Sequence, residues 1–519
     1  MDINYLIVWT VCLSCGLTIA RTARIRDQRG WAIVSAAILV VTGVVLSISP
    51  NWASLAGGSL WLLLVILPTL LLSKTNHLVY QQSYRQAGKL AKWVSWLHPA
   101  DGLEEYPQLI RSLEMAQMGE MVAAKDILTQ HQDINSIRGR YAIMMLYRID
   151  AQWEELLVWI RDRFPEKVLL NDRDLIMNYI RALGETGDLN GTVQWLEKFE
   201  HGSIGKDPAT LNTVRMIVLA FCGQVEIVER LFAHQLKMFS DELRQFWLAT
   251  AEIAVGREET ARERLRSLSN SIDISLKKAV TWRLSHTVVD LDRTLTDSSK
   301  AILARIGTEL DHEERYGGAG RNTGKPAYVT YGLIGVNVLV FSIELVTGGS
   351  ENIQNLYQLG GLAPIAVWHG EWWRLLSATF LHINFLHVSL NMVGLYILGE
   401  FVEVSLGVWR YLVAYFFSGI GSMAVITMIT MLLNFRGSDL TVGASGAIMG
   451  MVGATGAILL RGWLADKSPV AAKRLRLILF MIGLQVVFDL TTPHVSSLGH
   501  ASGLVLGFLI SLFLVRNPK

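Results

Sequence analysis

The sequence predicts an all-α, polytopic membrane protein. About three N-terminal transmembrane helices come first, then a soluble α-helical repeat region, then a six-helix membrane bundle. Three observations predict it. Of 519 residues, 51% are hydrophobic and only 18% charged, and mean hydropathy is +0.34, a balance that suits a chain keeping much of its surface in lipid. The apolar residues gather into runs near the ~20 residues needed to cross a bilayer core. Between the first and last runs lies a long polar stretch with amphipathic helical spacing. The length asks for more than one domain, and the expected divisions are 1–73, 74–316, a linker at 317–327, and 328–519.

The N-terminal runs are Tyr5–Ala20, Trp31–Ile48 and Trp52–Leu72. The first is short but does not read as a cleaved leader. The residues before it, MDINY, carry no positive charge, and Arg21, Arg24, Arg26 and Arg29 follow it instead. The three cysteines, Cys12, Cys15 and Cys222, are divided between an apolar run and a polar region, which suggests neither a disulfide framework nor a zinc site. The 16 tryptophans suit membrane boundaries. A net charge of +2 gives no reason to invoke nucleic acid.

From Ser73 to Pro326 no run is long enough to span. Stretches such as LIRSLEMAQMGEMVAAKDILTQ and FWLATAEIAVGREETARERLRSL repeat apolar residues at helical spacing. Helices break at Gly119, Gly187, Gly223 and Gly256. The later intervals approach the ~34 residues of a tetratricopeptide unit, and the first is about twice that. GDLNGTVQWLEKF and GREETARERLRSL resemble the turn and second helix of such units, with the aromatic and proline signature incomplete. An irregular helical solenoid accounts for the pattern equally well. The linker YGGAGRNTGKP offers nothing to a core. Six apolar segments follow, at about 328–346, 385–402, 409–433, 444–463, 475–492 and 499–515.

Short positively charged loops stay in the cytoplasm. Arg21–Arg29 therefore sets the first loop inside, and three crossings bring the repeat region to the cytoplasm. Independently, Arg461, Lys467, Lys473, Arg474 and Arg476 set the loop between the fourth and fifth late segments inside. TTPHVSSLGH has no Lys or Arg and belongs outside, and Arg516 and Lys519 return the tail inside. The two halves agree.

Polar groups where hydrocarbon is expected are costly and mark function by default. Three clusters qualify. In TVGASGAIMGMVGATG, Ser445 opens an apolar helix between Gly443 and Gly446. Small flanks leave its hydroxyl accessible, and helix-start amides suit an oxyanion. Such a string also serves plain helix packing. In SSLGHASGLVLGF, Gly499, Gly503 and Gly507 form one smooth stripe with His500 beside its start. Glycines 446, 450 and 453 make a comparable face. Packed together, the two faces bring Ser445 and His500 into hydrogen-bond range, though a lone histidine is as readily satisfied by a carbonyl. In LHINFLHVSLNMVG, His387 and Asn391 lie one turn apart on one face. They suit either oxyanion donation or a clasp between helices. All three clusters fall at the outer ends of their segments, which makes the bland readings hard to sustain together.

The combination resembles the rhomboid family of intramembrane proteases. The marks are Trp373-Arg374; His382, His387 and Asn391 in their His-x4-His-x3-Asn spacing; Gly443-Ala444-Ser445-Gly446; Gly499-His500 with Gly503 and Gly507; and Glu403-x3-Gly407. They lie within about 326–519, and nothing in residues 1–325 belongs to the resemblance. It implies a Ser–His dyad with no third carboxylate, Ser445 as nucleophile and His500 as general base. His387, Asn391 and the Ser445 amide would hold the oxyanion. Trp373, Arg374 and His382 would be scaffolding, and neither metal nor cofactor is needed. One departure is Met449, where many relatives carry an aromatic ring against the catalytic histidine. A thioether still packs on an imidazole, but it orients the base less firmly.

The expected substrates are transmembrane proteins in the lipid bilayer, the expected location is the bacterial plasma membrane with multiple crossings, and the repeat region is free for a cytoplasmic protein partner. The rival reading is a non-catalytic adaptor that binds transmembrane helices and recruits partners through the repeats. Met449 and the large soluble module favour it. Ser445, His500, His387 and Asn391 together oppose it, since a binder needs no such set. A transporter would place its ionisable residues nearer the bilayer midplane.

Overall fold

The structure, a computed structural model, describes residues 3–23, 28–98, 101, 103–202, 204–271, 273–285, 291–317, 326–433, 440–491 and 495–515. Most of the expected linker at 317–327 lies outside these, as do Arg24, Arg26, Arg516 and Lys519 of the charge-based topology. Among the described residues there is no β-strand, only an isolated antiparallel bridge between Leu362 and Thr441. The chain is an all-α, multi-pass membrane protein. It divides into two compact units, Met1–Ala304 and Arg305–Lys519.

The first unit begins with α1 (Ile3–Thr22), α2 (Arg29–Ile48) and α3 (Pro50–Tyr80). They close on Val11, Cys15, Ile38 and Val65. A π-turn at Leu62–Ile66 interrupts α3, and the Leu64 carbonyl accepts a hydrogen bond from His98 Nε2 at 2.8 Å. Short amphipathic helices follow. Gly119, Gly187, Gly223 and Gly256 each adopt positive φ between them, and the amide after each glycine bonds back to a carbonyl of the preceding helix, as in Glu120 N to Met115 O at 2.9 Å. The double-length first interval contains a fifth such turn. Ala151 has φ +55°, and Gln152 N donates to Tyr147 O at 2.9 Å. A residue with a Cβ rarely takes that conformation, so a search for glycines passes over it.

The second unit carries α4 (Tyr328–Thr347), α5 (Phe385–Leu406), α6 (Val408–Leu432), α7 (Ser445–Leu464), α8 (Pro469–Thr491) and α9 (Ser497–Leu514). Three short helices, Ile353–Gln358, Pro364–Trp368 and Arg374–Ser377, lie between α4 and α5. Of the nine expected spans, seven described helices are long and apolar enough to cross a membrane. Of the other two, α1 is 20 residues long with a single basic residue, Arg21, in its last turn, and α8 opens with Lys473, Arg474 and Arg476 and carries Asp489, charges that interrupt its apolar run.

Helix α7 is the bundle's centre. Its apolar window is 72% buried against at most 44% for any other spanning helix. Small residues make that possible. A Cβ on Gly503 would collide with the Gly446 carbonyl, and one on Gly507 with the Gly450 carbonyl. The glycine faces of α7 and α9 therefore meet backbone to backbone. Ser418 and Ser422 of α6 fill the space beside Gly450 and Gly446.

Candidate active site

Ser445 is the first residue of α7. Two anchors set its approach. Leu362 and Thr441 exchange backbone hydrogen bonds at 3.0 and 3.1 Å, and Gly443 N–H donates to Ala378 O at 2.9 Å. Gly443 has φ +134°, and a Cβ there would stand 2.9 Å from Cε1 and Nε2 of the His387 ring. Glycine is required at this position twice over, by conformation and by contact. The amides of the first turn have no partner within the helix, and no side chain caps them.

His500 lies in the first turn of α9, behind the cap that Ser496 Oγ makes to Gly499 N. It is 9% exposed. Its Nδ1 sits 2.9 and 3.0 Å from the two oxygens of Asp489 on α8. Asp489 also accepts from Gln485 Nε2 at 2.8 Å. Among the described residues neither His500 Nε2 nor the Ser445 hydroxyl makes a hydrogen bond. The contact between α7 and α9 brings the two residues to the same end of the bundle, and catalytic hydrogen bonds commonly tighten only when substrate is bound. The resemblance implied no third carboxylate, yet a buried one meets the histidine.

His387 and Asn391 share one face of α5. The His387 amide is capped by Asn384 Oδ1 at 2.9 Å. Asn391 is buried, and among the described residues its Nδ2 has no hydrogen-bond partner. An unpartnered buried donor is uncommon in a folded protein and calls for an explanation.

His382 is fully buried and meets the His387 ring edge-on, centroids 5.0 Å apart. Its Nδ1 donates to the Phe380 carbonyl at 3.1 Å, and its own amide donates to Glu344 Oε1 at 3.1 Å. Burial, and secondarily His387, pushes its imidazole down to about 3.

Arg374 is buried and ties the loop between α4 and α5 together. It donates to the Tyr357 and Gly361 carbonyls at 2.6 and 3.0 Å, pairs with Glu371 at 2.7 Å, and lies over the Tyr357 and Trp373 rings. The Trp373 ring packs where a Cβ on Gly360 would be. Glu403 is near the other end of α5, where its oxygens accept from Val329 N, Thr330 N and Thr330 Oγ1. Gly407, with φ +81°, turns the chain into α6. Met449 lies one turn after Ser445 and is partly buried.

Sequence reasoning passed over Asp489, Gln485 and Glu344. The available signal was a lone acid inside an otherwise apolar segment, QVVFDL and FSIELV.

Residues 369–517 match the family model described as Rhomboid domain. The chain is 30% identical over 156 residues to the putative rhomboid protease YdcA of Bacillus subtilis, covering 30% of this chain and 73% of that protein. To the rhomboid protease GluP of Bacillus subtilis it is 27% identical over 337 residues, 62% of this chain and 64% of the relative. That alignment is longer than the second unit, so the likeness reaches into the first. To RHOMBOID-like protein 5 of Arabidopsis thaliana it is 32% identical over 168 residues, 32% of this chain and 52% of the relative. The chain thus spans about half of the plant relative's length and just under two thirds of GluP's.

Proposed function

The chain belongs to the rhomboid family, and from that premise we propose that it is an intramembrane serine endopeptidase that cleaves transmembrane helices through Ser445 and His500. Relatives named as rhomboid proteases support the class of activity. One observation carries the chemistry. A histidine with Nδ1 engaged and Nε2 free stands at the same end of the bundle as a helix-start serine. Gly443, two residues before that serine, meets the His387 ring, and Asn391, one turn after His387, carries an unpartnered amide donor.

In this reading His500 Nε2 takes the Ser445 proton as Oγ attacks the scissile carbonyl. The negative charge that develops on the carbonyl oxygen meets the Ser445 amide, His387 and Asn391 Nδ2. The imidazolium then protonates the leaving amine. A water, deprotonated by the same nitrogen, hydrolyses the ester and frees Ser445. Trp373 and Arg374 keep the outer loop in shape, and Met449 leaves the His500 ring without an aromatic partner on α7. The site faces the outer side, with the repeat region in the cytoplasm of what the charge pattern reads as a bacterial plasma membrane. The repeat helices present a surface for a protein partner there.

The test reconstitutes purified protein in liposomes with a single-pass fluorescent reporter. Cleavage by wild type that is lost in both Ser445→Ala and His500→Ala supports the reading. Cleavage surviving Ser445→Ala rejects the nucleophile. Folded wild type that cleaves none of several reporters favours the adaptor.

A further inference from the structure

We propose that Asp489 is a positioning residue that completes a Ser445–His500–Asp489 relay, with Gln485 holding the carboxylate in place. The inference rests on the protease reading and adds to it a third member supplied by α8.

Asp489 is an acid at the far end of an apolar helix, with its side chain only 6% exposed. Burying a carboxylate there is costly unless it is paired. Among the described residues its one ion-pair partner is His500, reached by both oxygens, and its other partner is the Gln485 amide. Among the described residues no arginine or lysine shares it, so it is no general clasp between helices. Nor does packing hold it. The buried residues of α8, Ala471, Leu475 and Ile478, are all in its first half, while Leu484, Val486, Val487 and Leu490 around Asp489 are at least half exposed. What this stretch of α8 presents inward is Gln485 and Asp489.

The chemistry follows from which ring nitrogen the acid meets. A carboxylate accepts only from a protonated Nδ1, which leaves the Nε2 lone pair free to act as base. When that nitrogen takes the Ser445 proton, the adjacent negative charge stabilises the imidazolium without itself becoming protonated. Gln485 lies one turn before Asp489 and donates to it, fixing the carboxylate's rotation. Met449 brings no aromatic ring to this helix face, and Asp489 supplies an orienting contact to His500.

The test uses full-length protein with Asp489→Asn, Asp489→Ala, Asp489→Glu and Gln485→Ala. Three readouts are taken: kcat and KM on the liposome reporter, thermal melting, and the tautomer of His500 from 15N-histidine spectra, assigned by difference against His500→Ala. The Asn and Ala variants are expected to lose kcat by on the order of 10²-fold, with KM and melting little changed and the Nδ1–H signature gone. Asp489→Glu recovers part of kcat, and Gln485→Ala loses less than Asp489→Ala. Folded Asn and Ala variants with kcat within about twofold of wild type, or an unchanged His500 tautomer, would overturn the proposal. If the Asn and Ala variants do not fold, the Glu and Gln485 variants decide it by the same kcat criterion. A wild type without turnover defeats the protease reading instead, and the spectra still decide whether Asp489 sets the tautomer.

Discussion

Glu403 near the end of α5 caps the start of α4, accepting the Thr330 amide at 2.8 Å and the Thr330 hydroxyl at 2.7 Å. It also accepts from Val329 N at 3.1 Å, and Tyr411 OH meets the same Thr330 hydroxyl at 3.0 Å. Four helix-start amides need partners, and one carboxyl group serves two of them. Glu403→Ala should therefore destabilise the bundle by about 2 kcal/mol or more, because the amides stay buried and unpaired. Glu403→Gln keeps one acceptor and should lose less. Thermal melting in detergent checks both. Cleavage per folded molecule should be unchanged, since Glu403 and Ser445 lie toward opposite ends of the bundle.

The seam between α7 and α9 should tolerate nothing larger than glycine. A Cβ on Gly503 meets the carbonyl of Gly446, which is backbone and cannot swing aside. Gly503→Ala should cost about 1–3 kcal/mol as overpacking, and Gly503→Val more. Because the same seam sets Ser445 against His500, reporter cleavage should fall further than the lost folded fraction explains. Gly483 makes a fair control, with open space around it, and Gly483→Ala should be near neutral.

Much of this site was legible because its chemistry is written in local spacing. Gly499, Gly503 and Gly507 announce a smooth helix face, and His387 and Asn391 announce a shared one. Both readings need only the helical period. Asp489 was not legible in that way. Its contact with His500 joins two helices across eleven residues of sequence and depends on how α8 turns about its axis, which no periodicity reports. The Ala151 turn was missed for a different reason, since its left-handed conformation falls on a residue type that rarely takes one.

Acid should destabilise the second unit through His382. Burial holds its imidazole down to about 3 from an ordinary 6.5. Between those values the unfolded chain takes up a proton that the folded chain refuses. Stability is therefore full above about pH 6.5 and falls as pH drops toward about 3, at up to about 1.4 kcal/mol per unit. His382→Gln removes the titrating ring, so its melting temperature should fall less steeply with acid than that of wild type. Parallel slopes for the two proteins would mean that His382 is protonated in the fold.

Asn391 separates catalysis from scaffolding more sharply than any other substitution. Its Nδ2 is buried and unpartnered, so Asn391→Ala removes a polar group that the fold leaves unused and should not lower the melting temperature. If that donor waits for an oxyanion, the same change should reduce kcat by about 10²–10³-fold, the cost of one lost donor, with little effect on KM. Arg374→Ala should show the opposite pattern. Its guanidinium meets two backbone carbonyls and Glu371, so its loss should lower melting first and cleavage only as a consequence, and Arg374→Lys should not rescue it. Kinetics and melting of the two variants, measured side by side, tell the roles apart. An Asn391→Ala protein with normal kcat would remove Asn391 from the oxyanion site and leave that task to His387 and the Ser445 amide.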